Sequence, residues 1–154
     1  MLKKLSFFLA TFFGIGYAPK APGTMGSLAT LPIAFVLSRY GNGTLFVVTA
    51  AVIYAVGVLS TRKVLKYTPH DPSFVVIDEV VGQLLAFVFV SDIYPLNVYW
   101  LLGGFAAFRF FDILKPCPFS YFDKKWKNAT GFMMDDVMAG LYAATVLKVI
   151  HLFL

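Results

Sequence analysis

The run Leu45-Phe46-Val47-Val48-Thr49-Ala50-Ala51-Val52-Ile53-Tyr54-Ala55-Val56-Gly57-Val58-Leu59-Ser60 contains no charged side chain and stops against Arg62 and Lys63. It is too apolar for the surface of a water-soluble domain and long enough to be a helix in lipid, where every backbone N–H and C=O must be satisfied within the segment. Working outward, four further apolar segments have the same character: Ser27 to Ser38, Phe74 to Val90, Pro95 to Phe111 and Val137 to Leu154. Several are shorter than the roughly 20 residues that cross a bilayer, which calls for bilayer thinning or packing against neighbours. Gly41-Asn42-Gly43 makes the turn between the first two, and Pro32 interrupts the weakest of the five.

Composition agrees with this reading. The 154 residues are 59% hydrophobic and only 14% charged, against about 25% charged in ordinary soluble domains. A chain of this length cannot hide that surplus in one globule. The expected fold is all-α: a polytopic integral membrane helical bundle with short helices, formed by a single domain over residues 1–154. At the start, Lys3 and Lys4 precede the apolar stretch Leu5 to Ile15, which imitates a signal peptide. Pro19 after the apparent cleavage site argues against processing, so residues 1–19 are expected to form an interfacial or re-entrant segment. The lone Cys117 rules out a disulfide within the chain and a cysteine zinc site.

Threading five spans separates the charges. Lys20, Arg62, Lys63, Lys66, Arg109, Lys115, Lys124, Lys125 and Lys127 fall at one side, which the positive-inside rule makes cytoplasmic; Arg39 and Lys148 lie toward the other. The net charge of +5 points to anionic lipid headgroups rather than nucleic acid, because the basic residues are interleaved with membrane-length apolar runs. Seven of the eight acids gather at the same side, and only Asp92 marks the opposite turn.

Those acids lie in polar islands, each with a bland and a functional reading. Asp71-Pro72 reads as an N-cap with proline at the first helical position, which gives Asp71 a structural and supporting role. His70 reads as a surface or capping residue. Asp78 and Glu79 open an apolar run, where an ionised acid costs about 2.5 to 3.5 kcal/mol at bilayer depth, so the pair is expected to be used. Arg109, Asp112 and Lys115 recur every three residues, as an ion-pair ladder or as a phosphate-binding stripe. Asp135 and Asp136 open the last helix, where the macrodipole favours one acid; two beside the Asp78-Glu79 pair resemble a hard-cation site for Mg²⁺. In Ala21-Pro22-Gly23-Thr24-Met25-Gly26-Ser27, the turn glycines precede a helix whose first N–H groups are either capped by Ser27, the blander reading, or free to cradle an anion. The stretch lacks the Gly-Lys-Ser/Thr ending of a nucleotide-binding loop.

Four of these stretches, taken in order, resemble the phosphatidylglycerophosphatase A family: Pro22 to Leu28, Val76-Ile77-Asp78-Glu79-Val80-Val81-Gly82, Phe108 to Pro118, and Gly131 to Asp136 with Ala139-Gly140. The resemblance covers most of the chain. It implies a magnesium-dependent phosphatase of the bacterial cytoplasmic (inner) membrane, its active site toward the cytoplasm, removing the terminal phosphate of phosphatidylglycerophosphate in phospholipid biosynthesis. On that footing the metal is assigned to Asp78, Glu79, Asp135 and Asp136, with Asp112 as a further ligand or orienting group. Phosphate binding falls to Arg109, Lys115, Thr24, Ser27, Gly23 and Gly26. Water activated by the cation is the expected nucleophile, with an attacking aspartate as the alternative. Two rivals remain: a CDP-alcohol phosphotransferase, whose long Asp-x-x-Asp-Gly run is absent, and a cation transporter or channel subunit, which would spread its acids through the bilayer depth. The phospholipid in the bilayer is the partner, and no protein partner is inferable.

Overall fold

The computed structural model describes residues 2–68, 72–90, 93–115 and 128–154. Asp71, His70, Asp92, Cys117 and the lysines at 124, 125 and 127 lie outside them. The described chain is all-helical: α1 Leu2–Ala10, a 3-10 turn Ile15–Tyr17, α2 Pro22–Arg39, α3 Gly43–Val64, α4 Ile77–Leu85, α5 Val98–Leu114 and α6 Ala129–Phe153, with no strand among the described residues. Three helices start at an asparagine whose side chain caps free backbone donors. Asn42 Oδ1 accepts from Leu45 N at 3.0 Å, Asn97 Oδ1 from Tyr99 and Trp100 N, and Asn128 Oδ1 from Gly131 N at 2.9 Å.

α3 and α6 are long and apolar enough to cross a membrane. Each turns apolar side chains outward, Val47, Val48, Val52 and Leu59 on α3, and Val149 and Ile150 on α6, as a lipid-facing surface requires. The hydroxyls of Ser27 and Thr30 on α2 and of Ser60 on α3 donate to carbonyls of the preceding turn, which satisfies these polar groups within their own helices.

At the centre stands α4, packed against α6, α3 and α2. Its residues Asp78, Val80, Val81, Gly82, Gln83 and Leu84 are all buried. It corrects the expectation of a span over Phe74 to Val90. Nine residues reach about 13 Å at 1.5 Å each, less than half of the hydrocarbon core. Phe87, Val88 and Val90 then donate to carbonyls three residues back, tightening the chain into turns. The run is apolar because most of α4 and of these turns is packed inside the protein, with Phe89 alone exposed between Ile77 and Val90.

The remaining boundaries shift for local reasons. α2 begins at Pro22 and not at Ser27, because proline fits the first helical position and Pro22 supplies it. Ser27 is therefore inside the helix, buried, with its hydroxyl on Gly23 O at 3.1 Å. α6 begins eight residues before Val137, after the Asn128 cap, so Asp135 and Asp136 are its seventh and eighth residues and lie beyond its first turn. α5 ends at Lys115, which turns left-handed at φ 41°. α1 has nine residues and lies against α3; it is too short to cross the bilayer.

Candidate active site

Four segments close on one pocket of about 340 Å³: the first turn of α2, the loop before α4 with the start of that helix, the end of α5, and the start of α6. Asp78, Glu79, Arg109, Asp112, Lys115, Asp135 and Asp136 all line it. Asp78 and Asp136 are only 8% and 5% exposed.

Glycines set how closely the acids approach. Gly82 follows Asp78 by four residues and Gly140 follows Asp136 by four, so each acid stands one turn from the glycine on the same face of its helix. α4 and α6 cross at these two glycines. A Cβ on Gly140 would run into the backbone of Gly82, and one on Gly82 would reach Asp136 O. Bare backbone at the crossing thus brings Asp78 and Asp136 together. Gly23 acts similarly on α2: a side chain there would displace the Glu79 carboxylate.

The result is a cluster in which one oxygen each of Asp78, Glu79 and Asp136 lies within 4.8 Å of the others. Asp78 Oδ1 accepts from Glu79 N at 3.1 Å, at the positive end of α4. Glu79 Oε2 is buried without a hydrogen-bond partner. Burial pushes the carboxyls of Asp78 and Glu79 above the usual carboxylate range. Asp112, and for Glu79 the adjoining Asp78, push the same way, while Arg109 opposes the rise at Glu79. Crowded, desolvated carboxylates with an orphaned oxygen form a donor set that fits a hard divalent cation.

Asp135 lies elsewhere in the pocket. Its Oδ2 takes the Lys115 ammonium at 2.9 Å, and it is not among the three clustered acids. Arg109 Nη1 pairs with Asp112 Oδ2 at 2.7 Å and stands 3.9 Å from Glu79 Oε1. The Arg109-Asp112-Lys115 spacing therefore makes an ion pair within α5 and also reaches across to α4 and α6. Opposite, Ala21, Pro22, Gly23 and Thr24 present the start of α2 to the pocket, with no side chain capping it. Ala21 and Lys115, both non-glycine residues at positive φ (45° and 41°), border the site.

Of the residues expected in the site, Gly23, Thr24, Asp78, Glu79, Arg109, Asp112, Lys115, Asp135 and Asp136 meet in the pocket. Ser27 and Gly26 do not line it: Ser27 is turned onto Gly23 O, and Gly26 packs on Val76. Asp71 lies outside the described residues. Gly82 and Gly140 stand in the family-like stretches of the sequence but receive no role there, although each lies one helical turn after a site aspartate. Sequence reasoning also missed the lining residues Ser73 and Phe132, which carry no comparable signal.

A small helical membrane bundle with acids and cations converging at one pocket is the arrangement of a membrane-embedded enzyme. Residues 8–151 match the profile of phosphatidylglycerophosphatase A, and the chain belongs to that family and is a phosphatase. It is 39% identical to phosphatidylglycerophosphatase A of Haemophilus influenzae, over 97% of this chain and 94% of the relative. It is 33% identical to the Escherichia coli protein of the same name, over 90% of this chain and 79% of that one. A Bacteroides thetaiotaomicron protein provisionally named a phosphatidylinositol-3-phosphatase is 35% identical over 92% of this chain and 90% of the relative. No solved structure matches.

Proposed function

We propose that the protein hydrolyses the terminal phosphate monoester of phosphatidylglycerophosphate, giving phosphatidylglycerol and inorganic phosphate, in phospholipid biosynthesis. The reaction would take place at the cytoplasmic face of the bacterial inner membrane, with Mg²⁺ as cofactor. The observation that carries this reading is the charge balance of the pocket, where five carboxylates face two cationic side chains. A dianionic phosphate monoester could not enter such a site against uncompensated acids. Divalent cation resolves the repulsion.

Asp78, Glu79 and Asp136 would hold Mg²⁺, which when bound supplies neutralisation of phosphoryl charge and a lowered pKa for water. The chain's own residues do the rest. The Arg109 guanidinium, oriented by Asp112, and the Lys115 ammonium, held by Asp135, face the phosphoryl oxygens from α5. Thr24 and the uncapped first turn of α2 face them from the other wall. Water adds to phosphorus, the bond to the glycerol oxygen breaks, and the released alcohol takes a proton.

Phosphate release by detergent-solubilised protein tests the reading, with phosphatidylglycerophosphate and phosphatidylinositol 3-phosphate as parallel substrates, in Mg²⁺ and in excess EDTA. Metal-dependent release from the first that is lost in Asp136→Asn supports it. Preference for the inositol lipid would replace the substrate, and full activity in EDTA would remove the cofactor.

A further inference from the structure

A second cavity lies outside the active site. α1, the turn after it and the 3-10 turn enclose a groove of about 620 Å³ lined by Lys3, Lys4, Phe7, Phe8 and Tyr17 among others, with no described acidic side chain in its wall. Its rim is apolar and aromatic yet open to the surroundings: Phe8 is 50% exposed and Tyr17 60%, and Phe13, edge-on to Phe8 beside the groove at 5.2 Å, is 59% exposed. Phe12 and Phe13 both adopt positive φ, 46° and 60°, in the turn that directs Phe13 outward. The Lys3 ammonium sits 4.2 Å above the Tyr67 ring, at the end of α3, where Arg62, Lys63 and Lys66 are also exposed. Every described acid lies in the active site, so no described carboxylate neutralises this basic end.

We propose that this groove binds the headgroup of an anionic bilayer phospholipid that is not the substrate, with Lys3 and Lys4 on its phosphate and Phe8, Phe13 and Tyr17 in the acyl boundary. Charge complementarity selects the occupant, because a cationic rim above exposed aromatic rings matches the layering of the membrane interface and not a soluble anion. The position gives the lipid a use. Phe74 stacks on Phe7 at 5.9 Å and packs on Tyr17 at 5.7 Å, while its neighbours Ser73 and Val75 line the active site. Val76 N also donates to Ala10 O at 3.0 Å, so groove and site share the segment that leads into Asp78. A lipid held there fixes the mouth of the site at the depth of the bilayer phosphates.

The test is native mass spectrometry of the full-length protein in detergent, titrated with phosphatidylserine and with phosphatidylcholine of the same acyl chains. Neither carries a phosphate monoester. One juxtamembrane lysine is worth roughly a five-fold change in affinity for anionic lipid, so Lys3→Gln with Lys4→Gln should weaken phosphatidylserine retention by about 25-fold. Phosphatidylcholine retention should not change. Lys3→Arg with Lys4→Arg should retain binding, and Tyr17→Ala with Phe8→Ala should weaken it. An excess of inorganic phosphate should leave the lipid bound. Equal retention by the Gln variant, or displacement by inorganic phosphate, would overturn the proposal. Unchanged thermal melting of the Gln variant excludes loss of fold as the cause of a deficit.

Discussion

Adjacent residues of identical chemistry, Asp135 and Asp136, occupy different places. Asp136 is buried in the three-carboxylate cluster, whereas Asp135 is paired with Lys115. Asp136→Asn should abolish phosphate release and weaken Mg²⁺ binding strongly, while Asp135→Asn should retain measurable turnover with a raised KM. Equal kinetic loss in the two variants would contradict the division of roles. Lys115→Ala and Asp135→Asn should also be non-additive, since each removes the same ion pair. The raised carboxyls of Asp78 and Glu79 carry a pH consequence. Their protonated forms are favoured in the folded state, so metal-free stability is greatest at low pH and falls as pH rises through their elevated folded values. Mg²⁺ bound as proposed would reverse the slope by favouring the ionised forms. Thermal melts across a pH series, in EDTA and in Mg²⁺, should diverge as pH rises; parallel curves would remove the cation from these residues. The acids were legible in the sequence because charge is costly in an apolar run. Ser27 was misplaced because a serine after a glycine turn reads as a cap, and only the Pro22 start shows that it is one turn too late.

At the scale of helices, the close crossing of α4 and α6 sets the geometry of the site. A methyl group at Gly140 would meet the Gly82 backbone, and overpacking of this kind typically costs about 1 to 3 kcal/mol. Gly140→Ala should therefore lower the melting temperature. It should also weaken Mg²⁺ binding measured by calorimetry, although no ligand is altered. Destabilisation with unchanged metal affinity would mean that the glycines serve packing alone. α3 was readable because its charge-free run is bounded by Asn42 and by Arg62-Lys63. α4 was not: a half-length helix enclosed by protein and a helix enclosed by lipid are equally apolar, so Phe74 to Val90 reads as a span. The difference depends on what surrounds the segment, which hydropathy does not encode.

Across the whole molecule, the charge-free middle of α3 links two ends of different character. Its 22 residues extend about 33 Å, enough for the hydrocarbon core. Thr44 is exposed at its start, and Arg62, Lys63 and Lys66 are exposed at its end, toward the α1 groove. The positive-inside rule predicts that the basic end faces the cytoplasm, where the phosphatase reaction is proposed to occur. The test uses a Cys117→Ser background, which removes the chain's single cysteine, with Thr44→Cys or Lys66→Cys introduced separately. A membrane-impermeant maleimide should label Lys66→Cys in inside-out vesicles and Thr44→Cys in right-side-out ones. The reverse pattern would invert the protein and place its basic end outside. Labelling of both positions from one side would show that α3 does not cross, and the bundle would then have to bury its apolar surface by another route.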